Sequence, residues 1–184
     1  MLRNFLFFLS VLLCLNSCLS FKKNDAYAKD FRTMNKIEFS KKYFILYNED
    51  TIDFSRIKKN QAYYVLRNGS TFQIIVFSED KFIYEAPLMP LSMLRKPFTP
   101  IQLGRSSYFL VMKDILKTES MAASPGNVYS VIEEGKIGKD TIFMKKRYNA
   151  KGFKNEHKIF EECILIPEVK VYKIDNDYFI EKKN

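Results

Sequence analysis

His157 and Cys163 are the side chains best suited to nucleophilic chemistry, because an imidazole held against a thiol can take its proton. The stretch around them, 156–166, is patterned as a strand, and at about 3.3 Å per residue six residues separate the pair by roughly 20 Å. They cannot form a dyad. His157 is the sole histidine, which argues against a histidine-based zinc centre or a triad. Adjacent carboxylates stand at Glu133-Glu134 and Glu161-Glu162, but neighbouring strand residues face opposite sides, so one of each pair meets solvent. The run GKIGKD at 135–140 lacks the spacing and the following Ser or Thr of a phosphate-binding loop. Basic and aromatic residues interleave in MKKRYNAKGFK, 144–154, a composition that suits single-stranded nucleic acid or, beside a bilayer, anionic headgroups. No catalytic residue, metal-ligand set or cofactor is expected, and an enzyme is the least favoured class.

The elements that would position any site are strands. Of 184 residues, 47% are hydrophobic and 15% aromatic, with 11 Tyr, 17 Phe and no Trp, enough for one domain with its own core and weighted towards sheet. The stretch 61–86, QAYYVLRNGSTFQIIVFSEDKFIYEA, reads as a three-stranded antiparallel meander. Asn68-Gly69 is its sharper turn, expected as a two-residue type I′ hairpin with positive φ at both positions; 78–81 is the weaker one. An apolar run at 42–47 is the first folded element. Five of the six prolines lie in 87–125, so 87–100 is expected to cross one end of the sheet as a loop. The run 107–117 is expected as a helix, with a buried strand at 108–112 as the competing reading. Strands follow at 127–134, 140–148 and 156–166, and a hairpin at 169–174 and 178–181 closes the chain. The fold class is mainly β: an antiparallel up-and-down barrel or curled meander of about eight to nine strands, with one helix in the 100–120 region. A sandwich is the alternative.

The first 20 residues, MLRNFLFFLSVLLCLNSCLS, have a basic start, an apolar run of about 11 residues and small or polar residues after it, the order of a secretory signal peptide. That run is well short of the roughly 20 residues needed to span a bilayer as a helix. Leu15-Asn16-Ser17-Cys18 resembles the lipobox of bacterial lipoproteins, in which the cysteine is diacylated and becomes the first residue; Ala26-Tyr27-Ala28 is the competing cleavage site of an ordinary signal peptidase. The expected organisation is a signal peptide over 1–18, a tether over 19–40 and one β-rich domain over 41–184. Cys163 then remains as the lone thiol, most simply a buried small hydrophobe. Net charge is +9, or +8 without the first 18 residues, whose single charge is Arg3. The lysines form no block of five or more and fit a solvated sheet face. Export sets nucleic acid aside as a partner.

The segments AYYVLRNGSTFQIIVFSEDKFIYE, NVYSVIEEGKIGKDTIFMKKRY and EECILIPEVKVYKI resemble the lipocalin-like domains of small bacterial lipoproteins, although the tryptophan of true lipocalins is missing. The resemblance implies a barrel and a place in the cell envelope, held to the membrane by lipid on Cys18, or periplasmic or secreted if the other site is cut. It brings no activity. The expected function is binding of a small apolar ligand or an envelope partner protein in or on the barrel, with a filled structural or interaction module as the alternative. If the barrel is hollow, alternation aims Tyr64, Phe72, Ile74, Phe82 and Ile142 into it. A shift of one residue in register turns such a set outward.

Overall fold

The computed structural model describes residues 29–30, 33–34, 36–48, 55–124, 127–150 and 157–183. The expectations about the amino-terminal address, Cys18 included, fall outside them.

Twelve strands are present among the described residues: β1 (Ala62–Leu66), β2 (Thr71–Phe77), β3 (Phe82–Glu85), β4 (Met89–Pro90), β5 (Phe98–Gln102), β6 (Gly104–Met112), β7 (Ile115–Ser124), β8 (Asn127–Ile137), β9 (Thr141–Asn149), β10 (His157–Leu165), β11 (Lys170–Ile174) and β12 (Asp177–Lys182). Eight of them form a closed antiparallel barrel in the order β1-β2-β3-β6-β7-β8-β9-β10, with β10 returning to pair with β1. Every connection joins neighbouring barrel strands, which is the up-and-down topology, and all but one run directly from strand to strand. The exception is the proline-rich insert between β3 and β6. It lays β4 on β2 and then delivers β5 to a separate three-stranded sheet, β11-β12-β5. The closing hairpin is therefore found as expected, turning at Asp175 with φ 52, but it belongs to this second sheet and not to the barrel.

The helix expected over 107–117 is replaced by the β6–β7 hairpin, in which Met112 pairs with Ile115. Lys113 makes the turn at φ 58. The turn residues Lys113-Asp114 lack the Asn-Gly or Asp-Gly pair that marks a two-residue hairpin, so the sequence signal is weak, and the flanking apolar residues then mimic helical spacing. The meander is present, but its first turn differs in detail. Arg67 N–H donates to Thr71 O at 3.1 Å, leaving a three-residue loop in which Gly69 has φ 73 and Asn68 does not have positive φ. Asn68 works through its side chain: Oδ1 accepts from the Thr71 amide at 3.1 Å and the Thr71 hydroxyl at 2.7 Å. The second loop, closed by the Ser78 amide donating to Phe82 O at 3.0 Å, has Lys81 at φ 68, the geometry of a type I turn followed by a left-handed residue.

The described helix, α1 (Lys36–Tyr43), has Glu38 in its first turn and Lys41 and Lys42 in its last, a distribution that complements the helix dipole. It begins inside the stretch read as tether. The run 42–47 is the end of this helix followed by a 3-10 turn, Leu46–Asn48. Phe39, Phe44 and Leu46 are buried in one cluster with Phe72, Ile74, Val76, Phe82 and Tyr108 of the barrel wall.

Candidate functional site

Two clusters of apolar side chains divide the barrel wall. One contains Tyr63, Val65, Ile75, Phe77, Ile83, Phe109, Val111, Leu116, Ile137, Ile142, Met144 and Cys163, drawn from all eight barrel strands. Only the interior of a closed barrel can gather residues from every strand. The other combines Ala62, Phe72, Ile74, Phe82, Tyr84, Tyr108 and Leu110 with the amino-terminal segment and with Tyr178 and Ile180 of the second sheet. It is the outer face, roofed by those elements. Of the residues aimed inward by alternation, Ile142 lies inside. Tyr64, Phe72, Ile74 and Phe82 lie on the outer face, where Phe82 packs edge-on against Tyr108 with ring centroids 5.8 Å apart.

The interior is divided along its axis. At the end carrying the β2–β3, β6–β7 and β8–β9 turns it is filled by apolar side chains, with Phe77 edge-on to both Tyr63 and Phe109 at 5.4 and 5.1 Å. Ile57 joins this cluster from the segment preceding β1. Burial pushes the Tyr63 hydroxyl up from its ordinary pKa. It also pushes the Cys163 thiol up to about 12. A thiol that keeps its proton so firmly is no nucleophile. His157 is exposed at the far end of β10, so the two do not form a dyad.

The opposite end is polar and closed by ion pairs. Arg67 Nη1 donates to Glu161 at 2.8 Å and its Nε to Gln73 at 3.0 Å, while Gln73 Nε2 donates to Glu85 at 3.1 Å. Arg147 Nε donates to Glu133 at 2.7 Å and its guanidinium lies 3.8 Å from Glu161. Burial and these carboxylates pull the Arg147 pKa in opposite directions, with a net rise. Glu133 and Glu161 are the inner members of the two carboxylate pairs, as alternation requires. The sequence reading missed that the inner members are tied into this network. Between the two halves remains a void of about 40 Å³ bordered by Val65, Ile75, Leu116 and Met144 and by Arg67, Glu85 and Glu133. That is room for a water or two, far below the roughly 300 Å³ at which small-molecule sites begin. Gly135 contributes to the tight fit: a Cβ there would stand 2.7 Å from both Met144 Sδ and the Phe143 carbonyl.

The larger concavity lies outside. A groove of about 770 Å³ runs over the flank formed by β8, β9, β10 and β1, with Leu66, Phe143, Phe160 and Ile164 in it and Lys136, Lys145, Lys146 and Lys158 about it. Among the described residues, neither the amino-terminal segment nor the second sheet contributes to its lining.

Chemistry needs more than a groove. Among the described residues no group of three or more His, Cys, Asp or Glu side chains could hold a metal ion, and no helix is long and apolar enough to cross a membrane. Compared with known proteins, the chain matches no family model, no curated protein and no solved structure. The geometry stands alone. Among the described residues it presents a packed barrel, a polar end crossed by ion pairs and a broad open groove on one flank.

Proposed function

We propose that this chain is a lipid-anchored bacterial envelope protein that acts as a non-catalytic binding module through its outer surface, its barrel interior serving as a core. The observation that carries the reading is the contrast in volume: about 40 Å³ inside against about 770 Å³ on the flank. A carrier of small apolar ligands needs an enclosed site that buries most of the ligand, whereas an open groove suits an extended surface. The anchor rests on Leu15-Asn16-Ser17-Cys18 placed directly after the apolar run.

Both halves are testable on protein from its own host's envelope. Radioactive palmitate labels the wild type, and Cys18→Ala abolishes the label and releases the chain from the membrane fraction or blocks its processing. An unlabelled wild type whose mature amino terminus is Lys29 removes the anchor. Native mass spectrometry gives the chain with its amino-terminal lipid alone. A further lipid or small apolar molecule in stoichiometric amount would reinstate the carrier.

A further inference from the structure

We propose that the uncovered flank of the barrel docks on an anionic lipid surface, inserting Phe160 between the headgroups. The inference deepens the binding-module reading and rests on it for the membrane's proximity. Phe160 is 89% exposed, and Leu66 and Phe143 beside it are 47% and 41% exposed. Three large apolar side chains gathered on one face differ from the scattered exposed hydrophobics of an ordinary surface. The strands themselves raise Phe160: β9 and β10 shift register between Lys158 and Glu161, and a bulge of this kind re-aims the side chain it carries.

Lysines then decide what covers the patch. Lys136, Lys145, Lys146 and Lys158 flank it, against the exposed Glu162; Glu161 is turned inward to Arg67 at 2.8 Å, and Asp114 lies 3.5 Å from Lys136. A second copy docking through the same surface about a two-fold axis would set these lysines against their own counterparts, a repulsive arrangement. A negatively charged interface reverses the sign. An aromatic wedge amid lysines is also the pattern of side chains that settle at headgroup level, ring in the interface and ammonium groups on the phosphates. Geometry permits it under the proposed anchor, since residues 19–35 span at most about 60 Å.

The chain has no tryptophan, so one introduced there reports alone. Full-length Phe160→Trp protein is reconstituted into vesicles of phosphatidylcholine, with or without phosphatidylglycerol, and Ile174→Trp, at the exposed end of β11 in the second sheet, serves as the control. The expected result is a blue shift of emission and quenching by brominated acyl chains for Phe160→Trp on the anionic vesicles only, with the control silent on both. Adding Lys145→Gln and Lys158→Gln lowers the docked-to-undocked ratio by roughly five-fold for each lysine neutralised. No shift on anionic vesicles overturns the proposal, as does an equal shift on zwitterionic ones. A shift that grows with protein concentration without anionic lipid overturns it in favour of self-association. Flotation with zwitterionic vesicles reads the anchor separately: protein that fails to float yet shifts on added anionic vesicles loses the anchor and keeps the surface.

Discussion

Glu119 holds the amino-terminal segment to the barrel, and removing its charge should release that segment while leaving the barrel closed. The side chain sits on the outer face of β7 with 0% exposure. Its two oxygens accept the amides of Ile45 at 3.0 Å and Leu46 at 2.8 Å, and the Ser130 hydroxyl donates to the first of them. Phe39, Phe44 and Leu46, buried among the segment's described residues, contribute about 5–9 kcal/mol together at about 1.5–3 each. Hydrogen bonds to a charged group are worth about 1.5–3 kcal/mol each. In Glu119→Gln the amide oxygen can keep one N–H, but its NH₂ faces the other donor. The expected loss is about 3 kcal/mol, a rise on the order of a hundred-fold in segment opening. Hydrogen–deuterium exchange of the full chain should show peptides over 36–48 losing protection while β2 and β6 keep theirs. Unchanged exchange over 36–48 would refute the reasoning, and so would parallel loss in β2 and β6.

Gly69→Val should lower stability by about 1–2 kcal/mol through φ strain alone, because nothing lies within 4 Å of the added Cβ. Lys81→Gly should instead be neutral or up to about 1 kcal/mol stabilising, since Lys81 already occupies φ 68; urea midpoints decide both, and a stabilising Gly69→Val or a clearly destabilising Lys81→Gly would contradict the turn assignments. Alkaline pH should destabilise the fold. Burial raises Cys163 from 9.0 to about 12 and lifts Tyr63, Tyr84 and Tyr178 above 10.0. The folded chain therefore holds protons that the unfolded chain gives up, and stability is complete below pH 9 and falls as pH rises beyond it. In Cys163→Ala the urea midpoint should begin to fall nearer pH 10, and an onset unchanged from wild type would count against the buried thiol.

The strands were legible because turn residues punctuate runs of Tyr, Phe, Val and Ile, yet the side of the sheet that faces inward was not. In β2 the burial of Phe72, Ile74 and Val76 matches that of Ile75 and Phe77, since the outer face is roofed by the amino-terminal segment and the second sheet. Aromatic content therefore marks both faces. The polar residues mislead further: Arg67, Gln73 and Glu85 would ordinarily be placed in solvent, but they pair with one another and with Glu161 at the polar end of the barrel. Alternation also fails across irregularities. Strict alternation would put Ile142, Met144 and Tyr148 on one face, but pairing to β8 jumps from Met144 to Lys146, which turns Arg147 inward and leaves Tyr148 packed on the outer cluster. The exposed flank was visible only as scattered lysines, because Leu66, Lys136, Phe143 and Phe160 meet only once β10 has returned to β1.

That return governs the order in which the molecule can be made. Tyr63 pairs with Leu165 across the seam, and Ile101 waits for Ile180, so both sheets are completed by residues from the last part of the chain. A polypeptide emerging amino terminus first carries β1 with one edge unsatisfied until β10 arrives, and a seam of such long sequence separation closes slowly. The barrel consequently cannot shut on the synthesising ribosome before β10 has left it. Under the proposed export, the chain would cross the membrane as an open strand and become a barrel only on the other side.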